Sequence, residues 1–320
     1  MTARDVRPYA PNRRRSRPSW NRFQPKSNPG RPTGSTPAAR GDGLSAALLG
    51  LAAAAALAAA AVLSRRFALR YPARQLPGPL FALNAAVVAP AAPFGGWTVS
   101  WHIAAVLGAS VIVMIVTAVA IFELFAGGSA TAVTAGTAVS PLAAVLFSAL
   151  LLPVGASPTE IAAAAIVATA VLAALTDSFA DLTRGRAATL LITAAGGNGL
   201  LTVLGKQLLD AGAGVVEIYL VRTSLAAAVL MALFPPRDLP VRELPRMAIR
   251  ASAITASFLL ILAGLKRGSP TSVQTMVATA PLMLIAAELA FRKRRPSGRV
   301  VLAALFALAG VAVVLGSSAR

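Results

Sequence analysis

The 320-residue sequence predicts an all-α integral membrane protein of ten transmembrane helices, arranged as two five-helix inverted repeats. Three observations lead there. Composition is the first: 57% of the residues are apolar and 13% charged, with a mean hydropathy of +0.72, whereas an average soluble domain carries roughly 25% charged residues. The second is segment length, since about ten apolar runs lie near the roughly 20 residues that a helix needs to cross about 30 Å of hydrocarbon. The third is an internal repeat. GSATAVTAGTAVSPL (128–142) and GSPTSVQTMVATAPL (268–282) share seven of fifteen positions without a gap and lie 140 residues apart. A second pair, AVLSRR (61–66) and TVLGKQ (202–207), lies 141 apart. An odd number of helices per half turns every equivalent helix over in the bilayer, which makes the repeat inverted.

Taken in order, residues 1–43 are rich in Arg, Pro, Ser and Gly, cluster Arg13, Arg14, Arg15 and Arg17, and hold almost no aliphatic side chains. Such a segment cannot bury enough apolar surface to offset its ordering entropy, so a disordered basic tail is expected. The Ala-rich run after it imitates a signal peptide, but it is long, lacks a convincing cleavage site and has a counterpart in the second half. The first repeat, 44–176, holds helices at about 43–63, 79–93, 101–126, 129–152 and 158–175. Its short connections GG and LPVGAS make the third, fourth and fifth helices antiparallel neighbours. A polar linker, 177–186, leads to the second repeat, 187–317, with helices at about 187–208, 215–234, 247–265, 271–291 and 299–315.

Composition also narrows the chemistry. The chain has no cysteine and one histidine, so thiolate chemistry and Cys or His metal clusters are excluded. It has no Gly-Lys-Ser/Thr nucleotide loop and no legible Ser/His/Asp arrangement. No catalytic residues, metal or cofactor are expected, and the protein is not read as an enzyme. The net charge of +19 would suggest nucleic acid in a soluble protein, but ten of the thirty Lys and Arg lie in the first 43 residues and the rest mostly flank helices. Anionic lipid headgroups are therefore the expected partner, alongside a small-molecule substrate, with no nucleic acid. Association as a homodimer is left open.

Orientation is contested within the sequence. With the adjoining helical turn counted in, which adds Arg250, Arg299 and Lys206, the connections after helices one, three, five, seven and nine carry fifteen Lys and Arg, and those after two, four, six and eight carry three. By the positive-inside rule both termini lie outside. The ten basic residues of the tail resist translocation and argue the opposite.

Two five-helix halves, Gly-Ser and small residues opening helices four and nine, a proline midway along both, and the Gly-containing last helix ALAGVAVVLG together resemble the EamA-like transporters of the drug/metabolite transporter superfamily. The resemblance covers about residues 43–317. It implies a ten-helix carrier of the cell membrane that moves small metabolites, often amino acids or their relatives, outward by alternating access, with both termini cytoplasmic. The family often has a Glu thirteen residues after the helix-nine proline, where this chain has Arg294, with Val154 at the matching place in the first half. An Arg frequent in helices two and seven stands as Arg222 in one and is replaced by Asn84 in the other.

Ionisable groups inside a bilayer cost about 2.5 to 3.5 kcal/mol on insertion scales, so each one raises a functional question. Arg222, a third of the way into helix seven, offers a planar fork to a substrate carboxylate, or pairs with Glu217 nearby. Tyr219, Asn84, Asn198, Thr134 and Gln274 are further substrate-cavity candidates. Thr134 and Gln274 occupy equivalent repeat positions. The alternative for these neutral residues is helix packing. Glu123 and Glu288 are the proton-coupling candidates, a desolvated carboxylate being able to take up a proton. An i,i+4 pair with Arg292 is the alternative for Glu288. Pro141 and Pro281 should kink helices four and nine and could serve as hinges. The leading functional reading is a secondary transporter exporting a small polar, amino acid-like metabolite. A flippase for a lipid-linked intermediate and a non-transporting membrane partner subunit are the alternatives.

Overall fold

The structure, a computed structural model, describes residues 38–127, 133, 138–174, 185–237, 239–292 and 298–318. They fall in one unit of the chain, Pro37–Arg320. Among them the elements are α1 (Ala38–Ala68), α2 (Pro77–Val88), α3 (Trp101–Gly127), α4 (Ser140–Leu151), α5 (Pro158–Ala174), α6 (Gly185–Asp210), α7 (Val215–Leu233), α8 (Leu244–Arg267), α9 (Pro270–Val277), α10 (Ala280–Arg292) and α11 (Gly298–Ser318). Short 3-10 stretches precede α2 and α8, and another continues α2 to Phe94. There is no strand among the described residues.

The helix starts follow from local chemistry. Proline occupies the first turn of α2, α4, α8 and α9, where its missing N–H would have no helical acceptor and its fixed φ is already suitable. Ser269 caps α9 by accepting from the Ser272 N–H at 3.1 Å, and the Glu217 carboxylate in the first turn of α7 accepts from the Gly214 N–H at 3.1 Å. These contacts satisfy donors that a helix N-terminus leaves bare. The turn between α6 and α7 relies on Gly212, whose φ of +94° a side chain would resist.

By length and composition six stretches are able to cross a membrane: Asp42–Ala68, Ala73–Phe94, Trp101–Gly127, Gly185–Asp210, Val215–Leu233 and Val241–Arg267. The helices α4 and α5 are apolar but shorter. Large apolar side chains such as Ile112 on α3, Leu150 on α4, Ile192 on α6 and Val229 on α7 point outward and stay exposed, as a hydrocarbon solvent permits and water does not.

The two prolines act differently from the expectation. Helix nine does not bend at Pro281; it stops, turns at Ala278 and Thr279, and restarts as α10 with Pro281 in its first turn. Pro141 likewise stands in the first turn of α4, after a turn at Ala138 and Val139. A proline ring clashes with the preceding helical turn and offers no N–H, and a break accommodates both faults more fully than a bend. The first helix starts and ends about five residues beyond its expected limits, and α8 begins at Leu244 rather than Met247. The expected disordered tail is outside the described residues up to residue 37, as is the linker up to residue 184.

Packing joins distant parts of the chain. The principal partner of α1 is α8, and α1 also meets α9 and α10; α3 packs on α6, α2 on α7, α4 on α6, and α5 on α11. Small residues permit this closeness. On α1 the alanines 46, 47, 53, 54, 60 and 61 are all buried, and a Cβ added at Gly50 would come within 2.7 Å of the Met276 Cβ. On α6 a Cβ at Gly199 would lie 2.7 Å from both the Ala143 Cβ and the Ala144 nitrogen of α4.

Candidate functional site

The helices α1, α2, α3, α4, α6, α7, α8, α9 and α10 surround a cavity of about 160 Å³. Its lining is mostly apolar, with Phe81, Met114, Phe122 and Phe258 among the walls and a few polar groups between them. That combination is the usual one for a small-molecule site. Four of the expected cavity residues line it: Arg222, Asn198, Gln274 and Tyr219. Pro281 and Ser140, the neighbour of Pro141, line it too.

Arg222 projects from α7 and is 6% exposed. Its Nε donates to the Ser110 hydroxyl of α3 at 2.8 Å, while its Nη2 is buried without a hydrogen-bond acceptor. The alternative pairing with Glu217 is not formed, because that carboxylate is taken by the backbone N–H groups of Gly214 and Thr98, both at 3.1 Å. Gln274 ties three helices together: its Oε1 accepts from Thr202 of α6 at 2.9 Å and its Nε2 donates to Ser140 of α4 at 2.6 Å. Tyr219 stacks on Phe258 with ring centroids 5.9 Å apart, and its hydroxyl lies 3.2 Å from that of Thr255. Asn198 is only partly buried.

The other candidates lie elsewhere. Asn84 is fully buried in α2, with neither carboxamide atom hydrogen-bonded, but it does not line the cavity. Glu123, for which its own helix offers no partner, is clamped by residues far away in sequence: Arg74 at 2.6 Å and Arg186 at 2.5 Å. Thr134 and the side chain of Glu288 lie outside the described residues.

Sequence reasoning missed Arg250. It falls in the first turn of the expected helix eight, at the edge of a basic connection, and is not among the expected cavity residues; α8 starts at Leu244 and places it nearly two turns inside, 7% exposed and on the cavity wall. Its Nε donates to the Ser64 hydroxyl at 3.0 Å, and its guanidinium carbon sits 5.5 Å from the centroid of the Phe122 ring. The aromatic face stabilises the cation in part. Among the described residues no carboxylate lies within ion-pair distance of Arg222 or Arg250.

The two ends of the bundle are held differently. Where α1, α3 and α7 finish, arginines bracket carboxylates: Arg74 and Arg186 on Glu123, and Arg70 at 3.4 Å and Arg246 at 3.1 Å on Glu243. At the opposite end neutral donors do this work. Glu160 of α5 accepts from the Ser157 N–H at 2.8 Å, from the Ser272 hydroxyl at 2.7 Å and from the Ser269 hydroxyl, joining the first turns of α5 and α9.

A bundle of apolar helices, six of them long enough to cross a membrane, around a largely apolar cavity with a few convergent polar groups is the form of a membrane protein with a small-molecule site. The family model of the EamA-like transporter family, within the drug/metabolite transporter superfamily, matches residues 185–316, from α6 into α11. No curated protein matches the chain. A crystal structure, titled only as that of a protein, is similar over 87% of this chain and 96% of its own, with a TM-score of 0.62 at 20% identity. The two chains share a fold over that length.

Proposed function

We propose that the chain is a secondary active transporter of the cytoplasmic membrane that exports a small polar, amino acid-like metabolite by alternating access. The observation that carries this reading is the shared cavity, walled by α1–α4 from one half and α6–α10 from the other, with Arg222, Gln274, Asn198 and Tyr219 on its surface. A carrier needs its site between two units that rock against each other.

The packing supports a ten-helix, two-repeat arrangement, with α9 and α10 counted as one broken helix. Exchanging the halves converts the contact of α1 with α8 into that of α6 with α3. It also converts the contact of α1 with α9 and α10 into that of α6 with α4, and it maps α2 with α7 and α5 with α11 onto themselves. All of these contacts are present. The breaks before Pro141 and Pro281 fall at matching places in this scheme and are the proposed hinges. The cavity volume suits a small solute and gives no room to a lipid-linked sugar, which favours the carrier over the flippase.

The test is untargeted metabolite profiling of medium and cells, with the wild type compared to an equally expressed Arg222→Ala variant. One solute displaced into the medium by the wild type alone is the expected result. Profiles unchanged by the wild type contradict the proposal.

A further inference from the structure

Among the described residues the cavity lining holds two arginines and no Asp, Glu or Lys. Both guanidinium groups are more than nine-tenths buried, each Nε is held by a serine, and the Nη2 of Arg222 is left without an acceptor. Buried charges are normally paired, and among the described residues no carboxylate is within ion-pair distance of either arginine. Glu123 and Glu243 are bracketed by surface arginines, Asp210 pairs with Lys206 at 2.9 Å, and Glu160 and Glu217 are satisfied by serines and backbone N–H groups. Among the described residues the counter-charge is missing, and an acidic solute would supply it.

From these observations we infer that the transported solute is a small organic dianion, with one acidic group received by Arg222 and the other by Arg250. The inference rests on the carrier reading and sharpens its substrate class. It departs from a zwitterionic amino acid on one point of chemistry: the lining offers no carboxylate to an ammonium group.

The placement of the two cations suits a molecule charged at both ends. Arg222 is seven residues into α7 from one end of the bundle, and Arg250 is six residues into α8 from the other. At about 1.5 Å per residue these are depths of roughly 10 and 9 Å, which leaves on the order of 10 Å between the two levels across a core of about 30 Å. The wall between the two levels includes Met114 and Ile254, which suit an uncharged middle. A cavity of about 160 Å³ accepts a short chain, since one of about 150 Å³ holds benzene. Each serine holds its guanidinium through Nε, the Nη2 of Arg222 is without an acceptor, and Nη groups are the donors with which arginine grips a carboxylate or a phosphate by two bonds.

The experiment is exchange in proteoliposomes of the full chain, with succinate, glutarate and 2-phosphoglycolate as dianionic probes and lactate, alanine and a mixed cell-metabolite extract as comparators. Succinate or glutarate ahead of 2-phosphoglycolate assigns a dicarboxylate, and the reverse order assigns a phosphorylated acid. The expected result is that a dianion exchanges at least about tenfold better than lactate or alanine. Arg222→Gln and Arg250→Gln should each remove about tenfold or more of that preference. Both variants should still elute as a single species and melt no lower than wild type without ligand, because each removes an unpaired buried charge. Should either variant fail to fold, wild-type melting decides: a rise with succinate, glutarate or 2-phosphoglycolate that neither alanine nor sodium chloride at equal ionic strength reproduces supports the inference, and equal effects overturn it. Alanine exchanging as well as any dianion overturns the inference and leaves the carrier standing. No exchange of any probe or extract solute by monodisperse protein overturns the carrier reading itself.

Discussion

Arg222 donates its Nε to the hydroxyl of Ser110 across the interface of α7 and α3 at 2.8 Å, and this bond fixes which edge of the guanidinium faces the cavity. Hydrogen bonds to charged groups contribute about 1.5 to 3 kcal/mol, so Ser110→Ala should weaken solute binding by about tenfold or more. Transport kinetics check this: KM rises while the maximal rate per folded protein changes little. An unchanged KM shows that Ser110 does not set the orientation.

Glu123 sits between Arg74 and Arg186, whose side chains are 56% and 72% exposed. Ion pairs with that much solvent contribute at most about 1 kcal/mol each. Glu123→Gln is expected to lower the melting temperature slightly and to leave the pH profile of transport as in wild type. A flattened pH profile at unchanged stability would return Glu123 to the role of proton carrier.

Gly199 and Gly196 lie less than one turn apart on α6 and should respond in opposite directions. At Gly199 an added Cβ meets the backbone and Cβ of α4 at 2.7 Å, whereas at Gly196 nothing lies within 4 Å. Overpacking costs about 1 to 3 kcal/mol, so Gly199→Ala should melt markedly lower than wild type. Gly196→Ala should gain roughly 0.5 to 1 kcal/mol from the reduced entropy of the unfolded chain. Thermal melts of the two purified variants in one detergent separate these outcomes.

Glu160 joins the first turns of α5 and α9 through Ser157, Ser269 and Ser272 at one end of the cavity. Replacing it with Ala removes the acceptor common to all three serines and should loosen that end alone. The expected reading is faster labelling of a cavity cysteine from that side, with labelling from the other side slower or unchanged. Equal acceleration from both sides would mean a general loss of packing.

The membrane class was legible because composition and segment length are properties of the whole chain, and the family resemblance because the Gly-Ser and proline signatures are local in sequence. Arg222 stood out for being alone in an apolar run. Arg250 did not, since it follows Arg242 and Arg246 at intervals of four and reads as the last member of a basic loop. The early start of α8, with Pro245 in its first turn, carries it nearly one turn deeper than the expected helix 247–265 would. The two arginine partners of Glu123 lie 49 and 63 residues away, and helical spacing cannot predict such contacts. Proline positions announced that helices four and nine deviate but not that they break, because a bend and a break begin with the same missing hydrogen bond.

The central claim is that one cavity serves both sides of the membrane in turn, and the natural absence of cysteine makes it directly testable. Thr117 lines the cavity from α3 with a buried hydroxyl that makes no hydrogen bond, so Thr117→Cys gives up no such bond. Its reaction with a membrane-impermeant maleimide should be measured in intact cells and in inverted vesicles, with and without an exchanging solute. The account predicts labelling from both sides, slowed by the solute on each. Labelling from one side only, whatever solute is present, contradicts alternating access.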